Sequence, residues 1–310
     1  MIEKVKHKPI AITSSFYQLG TRAFPAYLSI GDDAMIIEGG IGATFATIVE
    51  QVKDLGVPPE QIKYIALTHT HADHIGAVPY LKKIWPHLKI VGSPVAARTL
   101  KNRDVTREAV RMDRALTGIM MSKGEIAEPP AELEDYAFDV DVVVNEGDKI
   151  DLGSGVEWTF YDTPGHSPCH MSLHNEAEGV LVIGDATGFY VPAKDTTWPN
   201  YFNSLEGYCN SIRKLAALPA SKGALSHNCV IDQGLGGYLR RAIETTEAFH
   251  LELMERLGNG EDPEKIAVEK AKWVNTLTDD HPFEVMYTLA KVLIKRSQSE
   301  AGKKGLFSPP

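Results

Sequence analysis

The densest group of chemically reactive side chains is the segment 68–76, which reads Thr-His-Thr-His-Ala-Asp-His-Ile-Gly. It follows the apolar run 64–67, a predicted strand, and precedes a predicted helix at 75–84. Residues two apart on an extended chain point the same way, and the helix-opening turn brings the next side chains back. Imidazoles gathered beside a carboxylate without a cation would charge and repel below neutral pH. The segment therefore predicts a metal site, with four candidate ligands: His69, His71, Asp73 and His74.

Three further candidate ligands each follow a short apolar run. His166 ends Asp-Thr-Pro-Gly-His, Asp185 ends Val-Leu-Val-Ile-Gly-Asp, and His227 ends Ala-Leu-Ser-His. Strand ends at a sheet edge are where α/β proteins collect their functional groups. Imidazole and carboxylate donors suit zinc, iron or manganese better than calcium or magnesium, which prefer all-oxygen ligands. Taken singly, each of these three residues is more typical of an ordinary turn or a hydrogen-bonded position.

The other histidines and one tyrosine have weaker claims. His170 and His174 are predicted to support the ligands or to be ordinary strand residues. Tyr190 is a candidate catalytic residue that could donate to an oxyanion or leaving group, with plain packing as the alternative. Four isolated histidines are predicted to lie at the surface: His7, His87, His250 and His281.

The elements that position these residues divide the chain in two. Strand-like and helix-like patterns alternate up to about residue 232, which predicts an α/β body over residues 1–232. Early signals include a hairpin about Gly31-Asp32-Asp33 and helices near 44–55 and 105–121. After about residue 235 every periodic segment is helical, so residues 233–310 are predicted to form a helical extension.

Composition narrows the class of protein. The chain has 310 residues, of which 43% are hydrophobic and 24% charged, as in ordinary globular proteins. A formal net charge of −9 makes nucleic acid an unexpected partner, and no apolar run is long enough to span a membrane. Three cysteines without a CxxC spacing, and no apolar leader, favour a reducing, cytoplasmic location. Apolar stripes at 105–121 and 283–294 suit core packing, a buried ligand or a homodimer.

The order HxHxDH, then His, Asp and His, resembles the metallo-β-lactamase fold hydrolases over about residues 20–230. That resemblance implies a four-layer αββα sandwich with the active site at the edge of two sheets. It also implies two divalent metal ions, with zinc expected first and iron or manganese as alternatives. Two residues depart from the family pattern: Glu38 stands where Asp is usual, and Cys169 stands where Gly is common.

Carried onto this chain, the resemblance implies a role for each candidate ligand. His69, His71 and His166 would hold the first ion, Asp73, His74 and His227 the second, and Asp185 would bridge them. A water held between two such ions loses a proton near neutral pH and becomes a nucleophile. Asp73 would both bind metal and orient that water or accept its proton.

The leading functional expectation is hydrolysis of a small thioester, ester or lactone, most like hydroxyacylglutathione hydrolase (glyoxalase II), with the helical extension closing over the substrate. The alternatives are an iron-dependent oxidoreductase resembling persulfide dioxygenases, a phosphodiesterase, and a non-enzymatic regulatory protein that keeps the metal site. No Arg/Lys cluster stands out as matched to the carboxylates of glutathione; Arg240-Arg241 is a candidate, but equally a solvated helix face.

Overall fold

The first half of the chain builds a mixed sheet. The computed structural model describes residues 7–126, 128–136, 138–228, 230–278 and 280–310. The strands of this sheet lie in chain order: β1 (Ile10–Ala11), β2 (Phe16–Gly20), β3 (Pro25–Ile30), β4 (Ala34–Ile37), β5 (Ile62–Ala66), β6 (Lys89–Gly92) and β7 (Val142–Val143). Pairing is antiparallel from β1 to β4 and parallel from β4 to β7. The parallel half therefore presents the ends of β4, β5 and β6 at one edge.

A second sheet comes from the second half of the chain. Its strands are β8 (Lys149–Asp151), β9 (Glu157–Asp162), β10 (Met171–Asn175) and β11 (Val180–Gly184), with β14 (Lys222–Leu225) and β15 (Val230–Ile231). Between them in sequence, β12 (Phe189–Val191) and β13 (Thr196–Trp198) form a separate hairpin. The spatial order is β15-β14-β11-β10-β9-β8, and only the β11–β14 pair is parallel.

Helices cover the outer faces of both sheets. They are α1 (Phe45–Asp54), α2 (Ala72–Ile75), α3 (Val78–Ile84), α4 (Pro94–Thr99), α5 (Arg103–Ser122), α6 (Leu205–Ala216), α7 (Leu235–Gly258), α8 (Pro263–Leu277) and α9 (Phe283–Glu300). The last three form the predicted helical extension, and α9 packs against α6, α7 and α8.

Three layers of buried side chains hold the elements together. Tyr27 and Trp158 belong to the core between the two sheets. Ile48 of α1 and Leu81 of α3 pack with the outer face of the first sheet. Ile183 belongs to a third core that α6, α7 and α9 share with the second sheet. This helix–sheet–sheet–helix order confirms the predicted αββα sandwich.

The structure refines several predicted elements. The hairpin about Gly31 and the helices near 44–55 and 105–121 are confirmed. The single helix predicted at 75–84 is two helices, α2 and α3. The β12–β13 hairpin was not predicted, because its strands are only three residues long and Pro192 lies between them.

Two findings bear on the expectations drawn from composition. Cys169 and Cys209 are buried free thiols, and Cys229 lies outside the described residues. None of the described helices combines the length and apolarity needed to cross a bilayer.

Candidate metal centre

The segment that carries the first four candidate ligands is held by both sheets. After β5 ends at Ala66, the chain bends at Thr68 and reaches His71, the residue before α2, whose backbone is extended with φ −71° and ψ 153°. The Thr68 carbonyl accepts a hydrogen bond from the Met171 N–H of the second sheet at 2.8 Å. The His74 carbonyl accepts from the Gly39 N–H after β4 at 2.7 Å. The candidate ligands thus stand on backbone fixed from two sides.

Three imidazole nitrogens meet in the first group of candidate ligands. His69 Nε2 lies 3.0 Å from His71 Nδ1, and His166 Nε2 lies 3.2 Å and 2.9 Å from these two atoms. Ligands at about 2.0–2.1 Å from a tetrahedral zinc ion stand about 3.3 Å apart, so the three nitrogens are spaced much as one face of such a site requires.

A second group lies beside the first and shares one carboxylate with it. Asp73 Oδ2 is 3.3 Å from His74 Nε2 and 3.4 Å from His227 Nε2. Asp185 Oδ2 is 3.3 Å from His166 Nε2 and 3.4 Å from His74 Nε2. Asp185 therefore lies between the two groups, in the position that a bridging ligand would occupy.

Hydrogen bonds at the outer side of two rings decide which nitrogen faces the site. His166 Nδ1 donates to the Asn200 carbonyl at 3.0 Å, and His227 Nδ1 donates to the Ala23 carbonyl at 2.8 Å. A carbonyl can only accept, so the proton of each neutral ring resides on Nδ1. The Nε2 lone pairs then point inward, which is the tautomer that a metal ligand needs.

Glu38 orients the ring of a further candidate ligand, His74. Its carboxylate is fully buried, accepts from Thr68 Oγ1 at 2.7 Å and Ser226 Oγ at 2.6 Å, and lies 2.9 Å from His74 Nδ1. Burial lowers the pKa of His74, but the carboxylates of Asp73 and Glu38 outweigh it and the pKa is raised well above its usual value. The carboxylates of Asp73 and Glu38 thus place negative charge on both sides of the His74 ring.

Two buried polar atoms test whether these residues fit a cation. His74 Nε2 and Asp185 Oδ1 have no hydrogen-bond partner among the described residues. A buried polar atom without a hydrogen bond costs about 1–3 kcal/mol. At His74 Nε2 the carboxylates of Asp73 and Asp185, 3.3 Å and 3.4 Å away, offset part of that cost. A divalent ion in the space between the rings would satisfy both atoms, so the residues present fit a metal centre.

The protonation states of the first group also suit metal binding. Burial, assisted by the neighbouring imidazoles, lowers the pKa of His69 well below its usual value. Burial would raise the pKa of Asp185, but His166 and the other imidazoles hold it well below its usual range. Neutral imidazoles and an ionised carboxylate are the forms that bind metal ions near neutral pH.

His170 supports Asp185, in line with its predicted supporting role. Its Nε2 accepts the backbone N–H of Asp185 at 3.0 Å, and its Nδ1 lies 2.8 Å from Thr163 Oγ1. Gly184 has φ +66°, and a Cβ there would come within 2.5 Å of His170 Nε2. Glycine is therefore required at this position for the ring to reach the backbone of Asp185.

The structure places Tyr190 away from the ligand cluster. Its hydroxyl donates to Asp195 Oδ1 at 2.7 Å, and its ring contacts Tyr238. The side chain is not among the described residues that line the cavity beside the ligands. Its position supports packing, the alternative that the sequence left open.

Of the histidines predicted to lie at the surface, His250 is buried and His281 is largely enclosed, with 11% of its side chain exposed. His281, between α8 and α9, has Nε2 3.8 Å from Asp73 Oδ2 and packs against His227 and Phe189. His250 is only 4% exposed, on the inner side of α7. The surface prediction was wrong for both, because it considered each histidine without the helix packing around it. It is confirmed for His87, which is exposed.

A cavity of about 530 Å³ opens directly above the ligand cluster. His71, Asp73, His166, Asp185 and His227 form its floor. The remaining wall comes mainly from α5, the β12–β13 hairpin and α9. The candidate metal centre is therefore accessible to a small molecule.

In a comparison with protein families, the family model of the metallo-beta-lactamase superfamily matches residues 26–227, which contain all seven candidate ligands. The chain belongs to the metallo-beta-lactamase superfamily. Members of this superfamily are typically metal-dependent hydrolases. The match ends before α7, so the helical extension lies outside it.

Individual relatives in the superfamily differ in their named functions. The chain is 29% identical over 152 residues to the probable metallo-hydrolase YflN of Bacillus subtilis, covering 49% of this chain and 54% of that protein. It is 28% identical over 217 residues to coenzyme F420H(2) oxidase of Methanothermobacter marburgensis, covering 66% and 46%. The chain thus spans about half the length of these curated relatives.

A solved structure shows the same fold over most of the chain. A metallo-beta-lactamase family protein from Thermus thermophilus aligns with a TM-score of 0.63 and 21% identity. The alignment covers 93% of this chain and 95% of that one.

Proposed function

We propose that this superfamily member is a dinuclear metal-dependent hydrolase of a small thioester, ester or lactone. The observation that carries the proposal is the position of Asp185 between two groups of candidate ligand atoms. One carboxylate with a separate ligand group on each side is the arrangement that two neighbouring cations require.

The proposed ligands are the seven residues inferred from the sequence. His69, His71 and His166 would hold one ion, Asp73, His74 and His227 the other, and Asp185 would bridge them. Three imidazoles at one position favour zinc, which uses the same donor set in known catalytic sites, with iron or manganese as alternatives.

Divalent ions bound here would supply Lewis-acid polarisation of a carbonyl oxygen and lower the pKa of a water molecule towards about 7. We propose that the carboxylate of Asp73 orients an attacking water or accepts its proton, and its position in the cavity lining supports this role. His281 lies beside Asp73 in the same wall and is placed to hydrogen-bond the substrate. We assign no catalytic role to Tyr190.

The helical extension, residues 233–310, is proposed to cap this site. Val285, Met286 and Leu289 of α9 line the cavity opposite α5, which supports the proposal. The apolar stripes at 105–121 and 283–294 therefore both contribute to the cavity wall within one chain. The homodimer stays a prediction.

An iron-dependent oxidoreductase is the second candidate function. The relative named coenzyme F420H(2) oxidase, which matches 66% of this chain, is the observation that favours it. The same imidazole and carboxylate donors accept iron. Phosphodiester hydrolysis has less support, since no Lys or Arg is among the described residues that line the cavity.

Metal content and turnover together test the proposal. Protein purified without added metal is analysed for zinc, manganese and iron, then assayed with thioesters, esters and lactones and for oxygen uptake. Two ions per chain with hydrolysis support the hydrolase, whereas one iron with oxygen consumption supports the oxidoreductase. His71→Ala should lose metal and turnover, while the exposed His87→Ala serves as the matched control. Fully metal-loaded protein that hydrolyses none of these substrates would refute the proposal.

A further inference from the structure

The wall of the cavity above the ligand cluster is apolar along most of its length. Helix α5 contributes a stripe with helical spacing, formed by Val105, Ala109, Met112 and Leu116. These residues span about 16 Å along the helix axis at 1.5 Å per residue. The stripe is therefore much longer than the carbonyl group that the ligand cluster itself would hold.

Two other elements complete this apolar wall. Helix α9 faces the cavity with Val285, Met286 and Leu289. The β12–β13 hairpin and the segment after it add three aromatic rings: Phe189, Trp198 and Phe202. Aliphatic and aromatic side chains thus surround a volume that begins at the candidate ligands and extends between α5 and α9.

The charged groups of the wall, apart from the ligand cluster, are acidic. Asp104 and Glu108, on the first turns of α5, are the acidic residues of this wall. Both are exposed at its outer end, where Arg107 lies 3.9 Å from Asp104 and Arg111 lies 2.8 Å from Glu108. Among the described lining residues there is no Lys or Arg to pair with an anion. Away from the ligand cluster, an anionic group on the substrate would therefore lose hydration without gaining a counter-ion from the residues that line this wall.

From these features we propose that the substrate carries an extended apolar acyl chain joined to a group without net negative charge. The acyl chain would lie along the α5 stripe, with its carbonyl at the ligand cluster and its neutral or cationic remainder near Asp104 and Glu108. This inference rests on the proposed hydrolase function and excludes glutathione thioesters, which bear carboxylates, as preferred substrates.

Chain length gives the inference a quantitative consequence. Burying one methylene group is worth about 0.8 kcal/mol, which corresponds to about a fourfold gain in affinity. The gain should continue from butyryl through hexanoyl and octanoyl chains and level off when the stripe is filled.

Matched thioesters test both parts of the inference on the metal-loaded protein. Each acyl group is supplied as its N-acetylcysteamine thioester, which is neutral, and as its glutathione thioester, which is anionic. We expect kcat/KM on the neutral series to rise about fourfold per methylene. At low salt the glutathione series should have KM values about tenfold higher, and added salt should narrow that difference.

Ligand binding separates this inference from the proposed hydrolase function. Methyl butyl, methyl hexyl and methyl octyl ketones have no bond to hydrolyse, and their binding is measured by calorimetry on the purified protein. Tighter binding with chain length but no turnover of any thioester, ester or lactone would refute the hydrolase and uphold the apolar chain site. Turnover without a chain-length trend, or with a preference for glutathione thioesters, would overturn the inference and leave the hydrolase standing.

Substitutions at Met112 and Glu108 localise the effect. Met112→Gln keeps the length of the side chain but makes it polar, so it should flatten the chain-length trend, whereas the apolar control Met112→Leu should preserve it. Glu108→Lys should lower the KM ratio of glutathione to neutral thioesters about fivefold. An unchanged trend in Met112→Gln together with an unchanged ratio in Glu108→Lys would place the substrate elsewhere.

Discussion

Asp113 is a buried carboxylic acid whose ionisation should control stability. It lies on α5, is 5% exposed, and accepts the Gly42 N–H at 2.7 Å. Burial raises its pKa to about 7, and the nearby Asp73 carboxylate adds to the rise against the opposing effect of the Gly42 N–H. The folded protein therefore keeps a proton on Asp113 at pH values where the unfolded chain loses it. By linkage, the free energy of unfolding falls as the pH rises through this window and levels off above the folded pKa.

The magnitude follows from the two pKa values. A folded pKa of about 7 against an ordinary value of 3.8 corresponds to a destabilisation of about 4 kcal/mol once both states are ionised. On the order of 2–3 kcal/mol of this develops between about pH 5 and pH 8. Asp113→Asn keeps an oxygen acceptor for the Gly42 N–H and removes the ionisation. The stability of this variant relative to the natural protein should therefore increase by that amount over the same range.

Urea unfolding at several pH values, with chelator present so that metal binding does not contribute, measures this difference. Asp104→Asn is the matched control, since Asp104 is on the same helix with its side chain 96% exposed. The difference in free energy of unfolding between Asp104→Asn and the natural protein should stay constant to within about 0.5 kcal/mol over this pH range. Parallel pH curves for the natural protein and Asp113→Asn would refute the reasoning, because they would show that Asp113 titrates alike in both states.

Three further predictions concern the candidate metal centre. Glu38→Gln should weaken zinc binding about 10- to 100-fold in a chelator competition, because an amide no longer holds the proton on His74 Nδ1. Glu38→Asp keeps a carboxylate and should lose less zinc affinity. Equal zinc affinity of the natural protein and both variants would contradict the tautomer argument. His281→Ala should reduce kcat/KM about tenfold or more while metal content stays at the level of His87→Ala, and loss of metal instead would indicate a ligand role. Chelation should lower the melting temperature measured by scanning fluorimetry, since an ion present at about 100 times its Kd stabilises the fold by about 2.7 kcal/mol; His71→Ala should respond little, and an equal response would place the stabilising ion elsewhere.

Local spacing was enough to predict the first four candidate ligands. His69 and His71 are two residues apart on extended chain, and Asp73 and His74 lie on the turn that follows, so short-range geometry places all four together. His166, Asp185 and His227 each follow an apolar run, but that pattern made them only candidates, and their ligand role was implied by the resemblance to the family. Alternating strand and helix patterns predicted an α/β body with a helical extension, whereas the four-layer αββα sandwich was implied by the resemblance to the family.

Pairings between distant segments decided what the sequence pattern could not. Glu38 reaches His74 because β4 lies beside β5, and His170 reaches the Asp185 backbone because β10 lies beside β11. No local pattern contains either contact, since both depend on which strands are neighbours and in what register.

Helix packing settled the remaining positions. His281 is more than 200 residues from Asp73 in sequence, yet the packing of α8 and α9 brings it into the cavity wall. Tyr190 follows Asp185 closely in sequence, but the β12–β13 hairpin directs its hydroxyl to Asp195. The sequence alone determined which side chains could bind metal, because ligand chemistry and short-range spacing are local properties. Only the tertiary structure decided which groups orient those ligands and which walls a substrate meets, because these depend on contacts between distant segments.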